Sequence, residues 1–174
     1  ARRFALSTST AGPSRVGVVT TTGGGAAMAV DQLGQRGVTV SPPSDETLAR
    51  IRAAGIAVRP GPVLDLTLAG TRHDVIQPVL DVLVSAPEFD LVLAVIGSSA
   101  RFQPDLAVTP LLDTKAGRNP LAVMLVPDAP QALARLTQAQ LPCFRSPEAC
   151  ADAIAAVFAR RPVHSLCRPS GAGD

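Results

Sequence analysis

Two stretches of this chain carry almost no polar residue: Phe89 to Gly97 and Leu121 to Val126. A strand with one face in water alternates apolar and polar side chains. A run that does not alternate is buried on both faces, which is the position of a strand inside a parallel sheet covered by helices. The segments around these runs have helical spacing instead. Ala26 to Arg36 repeats at Ala26, Val30 and Leu33 and stops at Gly37. Ser44 opens a second helix with Asp45 and Glu46 in its first turn, where negative charge suits the helix dipole. Thr71 to Ala86 places Val75, Val79, Leu80 and Leu83 on one side, with Pro78 expected to kink it or delay its start. Pro104 to Leu112 and Asp128 to about Gln138 read as two more helices. Ser146-Pro147-Glu148 then starts a last one, with Ser as N-cap and Pro at the first position.

Short strands are expected at Arg15–Thr20, Val38–Val40 and Pro142–Arg145, while Pro62–Ala69 reads as an apolar loop. The order β-α-β-α-loop-α-β-α-β-α-β-α predicts an α/β fold. It is a flavodoxin-like, doubly wound, mostly parallel sheet of about five strands with helices on both faces. A chain of 174 residues suits one such domain, expected over 14–161, with a linker at 1–13 and a flexible tail at 162–174. With no Trp, no Tyr and 3% aromatics, the core must be built from Val, Leu, Ile and Ala.

Charge and cysteine usage exclude several functions. Sixteen basic against fourteen acidic residues leave +2, with no basic run interleaved with aromatics, so no nucleic-acid partner is expected. No apolar run approaches the roughly 20 residues of a membrane span, and no signal peptide is read at the N-terminus. Cys143, Cys150 and Cys167 are odd in number and lack C-x-x-C spacing, so neither a disulfide framework nor a zinc site follows and a cytoplasmic location is expected.

Ligands of doubly wound sheets bind beyond the carboxyl ends of the strands. The first such end is Thr20-Thr21-Thr22-Gly23-Gly24-Gly25-Ala26. A strand ends, glycines turn the chain, and a helix begins with free N–H groups and its positive dipole end. That makes a phosphate or carboxylate site from Thr21, Thr22, Gly23, Gly24, Gly25 and Ala26; the alternative is a tight turn with no ligand. It is not a P-loop, because Ala26-Ala27 stands where Lys-Ser/Thr is required, and Lys115 is the only lysine. Nor is it a dinucleotide fingerprint, since Met28 occupies the third glycine's place. The second end is Gly97-Ser98-Ser99-Ala100-Arg101, where Ser98, Ser99 and Arg101 could grip an organic acid's carboxylate; the alternative is a solvated polar loop. Asp65 is expected to cap a turn or a helix, with a ligand contact as the alternative. His73 and His164 read as surface residues, and Cys143 and Cys150 as core thiols. No catalytic residue and no metal ligand is assigned.

Arg15 to Asp31, with Thr20-Thr21-Thr22-Gly23-Gly24-Gly25 at its centre, resembles the start of a succinyl-CoA-synthetase-like flavodoxin domain. The nearer resemblance is to the NDP-forming (ADP-forming) acyl-CoA synthetases, the acetate–CoA ligase family, and there to the second flavodoxin-like module. Val63-Leu64-Asp65-Leu66-Thr67 resembles the family's Asn-Pro-x-Asp-Leu-Thr segment, with Pro62 one place early and the Asn absent. Ala86 to Leu93 resembles its "dPevDavlv" strand, and Leu141 to Ala149 its closing "giPvfrspeeA" segment.

The resemblance spans roughly 14–160 and implies a role. Such enzymes interconvert acyl-CoA, nucleoside diphosphate and phosphate with a carboxylic acid, CoA and nucleoside triphosphate, through an acyl phosphate and a phosphohistidine. It implies that the glycine-rich helix start stabilises a phosphohistidine supplied by another module, and that the Gly97–Arg101 loop lies near the acid's carboxylate. The whole enzyme would use CoA, ATP or ADP, and Mg. The CoA-binding, phosphohistidine and ATP-grasp modules would lie in the same chain or a partner subunit, so the isolated chain is expected to be inactive. A stand-alone phosphate-ligand (CoA or nucleotide) binding domain or a scaffold is the alternative.

Overall fold

A computed structural model of the chain describes residues 14–159. The expected linker and tail, His164, Cys167 and the last two residues of the expected domain lie outside the described residues.

The two apolar runs form the centre of the sheet. β4 (Leu91–Ile96) and β5 (Leu121–Leu125) are buried at every position. Their side chains alternate between two cores. Val92, Ala94 and Ile96 join Val123 and Leu125 in one; Leu91, Leu93 and Val95 join Ala122 and Met124 in the other. This period of two is the pleat itself. β1 (Arg15–Thr20) pairs in parallel with β4, Val16 opposite Leu91 and Thr20 opposite Val95. β6 (Cys143–Phe144) pairs in parallel with β5.

The other edge differs from the sequence expectation. β2 (Thr39–Val40) pairs with β1 at Arg15 and Val16, and a further strand, β3 (Val63–Asp65), pairs with β1 at Val18 to Thr20. The two short strands share one flank of β1, so the sheet has six parallel strands, where about five were expected. Taking β2 and β3 as one position, the order is the flavodoxin-like 2-1-3-4-5. β3 reads as a loop in sequence because three residues carry too little periodicity to register.

Helices cover both faces. α1 (Gly23–Gln35) and α7 (Pro147–Phe158) bury Ala29, Leu33, Cys150, Ala151 and Ile154 against one face. α2 (Asp45–Ala53), α3 (His73–Ser85), α5 (Pro104–Asp113) and α6 (Pro130–Gln138) cover the other, with α4 (Ser99–Phe102) between β4 and α5. α3 continues through Pro78 and begins at His73, two residues after the expected start. The lost backbone hydrogen bond is outweighed by burial of Ile76, Val79, Leu80, Leu83 and Val84 on either side of the proline.

Both Ser caps expected from sequence are present. Ser44 Oγ accepts from the Thr47 amide at 3.2 Å, and Ser146 Oγ accepts from the Ala149 amide at 3.2 Å. Ser146→Ala should lower unfolding free energy by about 1 kcal/mol in a urea titration, with Ser146→Asp close to wild type.

Glu88 Oε1 also accepts from the Ser44 amide, at 2.7 Å. Burial works against its charge, but the Ser44 amide and the Thr47 hydroxyl outweigh it and hold the Glu88 carboxyl below the usual carboxylate range. A carboxyl lowered in the folded state stabilises above its unfolded pKa, and that contribution is lost as the pH falls through the folded value. Glu88→Gln should therefore cost stability at neutral pH and flatten the acid limb of a Tm-against-pH curve.

Candidate functional site

The strand order reverses between β1 and β4, and the turns that follow these strands meet there. Thr20, 1% exposed, ties the first turn down: its hydroxyl donates to the Val95 carbonyl (3.0 Å) or the Thr22 carbonyl (2.8 Å) and accepts the Thr22 amide at 2.9 Å. The Thr21 amide donates to the Val95 carbonyl at 3.0 Å, and Thr21 Oγ1 accepts the Gly97 amide at 2.9 Å. The two loops singled out in the sequence are thus stitched to one another. Sequence reading missed the anchoring role of Thr20; its one signal is a hydroxyl closing an apolar strand.

The glycines belong to the helix rather than to a loop before it. α1 starts at Gly23, three residues earlier than its apolar spacing implies, with Thr22 as N-cap in extended conformation (φ −150°, ψ 109°). The Thr22 side chain makes no capping bond. Its methyl packs toward Gly25 and Gly97 instead. The first amide of α1 with a partner is that of Ala26, which donates to the Thr22 carbonyl at 3.1 Å. The amides of Gly23, Gly24 and Gly25 have no acceptor among the described residues. They form the positive end of a 13-residue helix that has no acidic residue in its first turn. Ala26 is buried and its amide is committed, so it is not one of the free donors.

The three glycines differ in what the structure asks of them. A Cβ on Gly25 would lie 2.9 Å from Thr22 Cγ2 and 3.2 Å from Val95 Cγ1, so packing requires glycine there. A Cβ on Gly23 would stand 3.3 Å from Asp65 Oδ2. At exposed Gly24 nothing lies within 4 Å, and its φ is not positive. Neither strain nor packing calls for that glycine, although it costs the helix up to about 1 kcal/mol against Ala.

The second loop offers a related set of donors. Gly97 is buried; a Cβ there would come 2.9 Å from Thr22 Cβ. Ser98 is exposed and Ser99 half-buried, at the start of α4, and neither amide has an acceptor among the described residues. Arg101 is exposed; its amide donates to the Ser98 carbonyl at 3.0 Å, and its guanidinium makes no hydrogen bond or ion pair among the described residues. Phe102 beside it is 77% exposed.

Asp65 ends β3 and has the turn-capping role expected of it: Oδ1 accepts the Thr67 amide at 2.8 Å. Its other oxygen faces the start of α1 at Gly23, a proximity that sequence spacing does not reveal. His73 is exposed, with Nε2 2.9 Å from Asp113 Oδ2 at the start of α3, and no nucleophile is paired with it. Burial pushes the Cys143 and Cys150 thiols up to about 12, so both stay protonated and fit the core role. Among the described residues, no group of three or more His, Cys, Asp or Glu side chains could hold a metal ion, and no helix is long and apolar enough to cross a membrane.

Comparison with known proteins gives a structural likeness and no sequence relative. No protein-family model and no curated protein matches the chain. Among solved structures, PH0766 from Pyrococcus horikoshii OT3 is similar with a TM-score of 0.67 at 18% identity, over 84% of this chain and 35% of that one. The dinucleotide forming acetyl-coenzyme A synthetase 1 of Ca. Korarchaeum cryptofilum is similar with a TM-score of 0.65 at 18% identity. Its apo form is matched over 83% of this chain and 33% of that one; the complex with phosphate and ADP has the same score and identity, with 32% of that chain matched. The chain thus spans about a third of the length of these proteins and shares the fold of one part of them.

Proposed function

We propose that the chain is a flavodoxin-like module of an NDP-forming acyl-CoA synthetase, an acid–thiol ligase. In this reading the amides of Gly23, Gly24 and Gly25 hold the phosphoryl group of a phosphohistidine carried by another module. The observation that carries it is the start of α1: three consecutive amides without an acceptor among the described residues, at the strand-order reversal, with glycine at a position where neither packing nor φ asks for it. Such amides meet phosphate oxygens without prior rearrangement, and the helix dipole favours the negative charge. Thr21 and Thr22 hold the turn in shape, through the hydrogen bond to Gly97 and the packing against Gly25.

The organic acid then meets the neighbouring loop. Ser98 and Ser99 supply amides and hydroxyls, and Arg101 supplies a free guanidinium that can engage a carboxylate at two points. The hydrogen bond between Gly97 and Thr21 keeps this loop in register with the phosphate cradle. CoA, ATP or ADP and Mg²⁺ belong in this reading to CoA-binding and ATP-grasp modules, in the same chain or in a partner subunit. CoA supplies the thiol that accepts the acyl group. This chain's residues hold phosphoryl and carboxylate oxygens, and alone it is inactive. The likeness to an acetyl-coenzyme A synthetase over one part of that protein supports this division of labour.

In the assembled enzyme, Arg101→Ala should raise the KM for the acid about tenfold with a smaller change in kcat, and Arg101→Lys should restore part of it. An unchanged KM would remove Arg101 from the acid site.

A further inference from the structure

A groove of about 580 Å³ is lined by β3 and the turn that follows it, at the edge of the sheet. That size is in the range of small-molecule sites. Its apolar wall is built from Ile56, Val63, Leu66 and Val75. Arg59 lines the same groove and has no hydrogen-bonded or ion-paired partner among the described residues. The other charged residue on the wall, Asp65, is engaged elsewhere: one oxygen accepts the Thr67 amide, and the other faces Gly23 of α1. The groove therefore presents an apolar surface, an arginine with no ion-pair partner among the described residues, and the Asp65 carboxylate, whose charge an amide hydrogen bond does not cancel.

Its shape is held by an unusual backbone. Thr67 on the rim has φ +43°, a left-handed conformation rarely adopted by a β-branched residue. Strain of this kind persists only where the surroundings enforce it. Here the Asp65 carboxylate grips the Thr67 amide, and Gly70 leaves room for Thr21, since a Cβ on Gly70 would come 2.8 Å from Thr21 Cγ2.

We infer that this groove is a second binding site, for an aliphatic monocarboxylate whose tail lies on Ile56, Val63, Leu66 and Val75 and whose carboxylate pairs with Arg59. The site is separate from the Ser98–Arg101 loop. It takes a longer-tailed acid than acetate, because the apolar wall contributes only when methylenes cover it. The inference stands without the phosphohistidine reading.

The test is a titration of the 174-residue chain with hexanoate, followed by amide shifts in nitrogen–proton NMR spectra, with acetate and inorganic phosphate as parallel probes. Hexanoate should move amides along residues 56–69 and bind about tenfold more tightly than acetate. Arg59→Gln should weaken it about fivefold or more. Ala69→Phe, which fills the groove and leaves the charge in place, should weaken it too, with melting temperature confirming that both variants fold. Arg101→Ala should leave hexanoate binding unchanged. Three results would overturn the site: shifts centred on Gly23–Gly25 or Ser98–Arg101, acetate binding as tightly as hexanoate, or Arg59→Gln binding like wild type.

Discussion

Gly24→Asp is expected to make the domain more stable and, on the proposed function, to leave the synthetase that contains it nearly inactive. The position is exposed, and nothing lies within 4 Å of where its Cβ would stand, so the side chain fits without a clash. Removing a helical glycine gains up to about 1 kcal/mol, and a carboxylate in the first turn of a helix adds about 0.3–1 kcal/mol. For a domain of this size each kcal/mol raises Tm by about 2–4 °C. The same carboxylate occupies the field of the three free amides and repels a phosphoryl group arriving there. On the proposed function, phosphohistidine formation in the synthetase should fall by about a hundredfold, as expected when a preorganised anion site is blocked. Gly24→Asn separates the effects, because it has similar bulk and no charge. If Gly24→Asp leaves phosphorylation at the wild-type level, α1 does not hold the phosphate. Gly25→Asp is a poorer test, since its Cβ would press on Thr22 and Val95 and any loss could be a packing effect.

The second large effect is on stability. Phe89 is 1% exposed, just before β4, and its ring lies over Gly17 of β1 so closely that a Cβ on Gly17 would come 2.9 Å from it. Gly17 is opposite Val92 in the β1–β4 ladder, so this contact secures the pairing on which both loops depend. In a chain with five Phe and neither Trp nor Tyr, no other aromatic type can fill such a space. Phe89→Ala should cost about 3–5 kcal/mol, a large share of the roughly 5–15 kcal/mol that keeps a domain folded. Urea unfolding followed by circular dichroism would read it as a lowered midpoint with little change in slope. Gly17→Val should be destabilising as well, because ring and side chain would compete for one volume. A loss under 1 kcal/mol for Phe89→Ala would mean that the β1–β4 contact tolerates a hole at its base.

Much of this architecture is legible in the residues because its causes are local. The unbroken apolar runs of β4 and β5 can only be strands covered on both faces, and that requirement leads to a parallel sheet with helices on two sides. Ser44 and Ser146 mark helix starts because the capping bond joins residues three apart. The two loops stand out as donor-rich turns from their glycines, hydroxyls and arginine alone. What the residues do not reveal is set by distant pairing. β3 is a strand only because Val18 to Thr20 offer it an open edge beside the short β2. Where α1 begins, and hence which amides are free, depends on Thr22 turning its methyl toward Gly25 and Gly97 instead of capping the helix. The Thr21 hydroxyl meets the Gly97 amide across 76 residues because β1 and β4 lie side by side in register, and no spacing rule reaches that far. Local chemistry settled which segments are strands, helices and donor-rich turns. The tertiary fold alone decided which turns meet, since that follows from how buried strands are ordered.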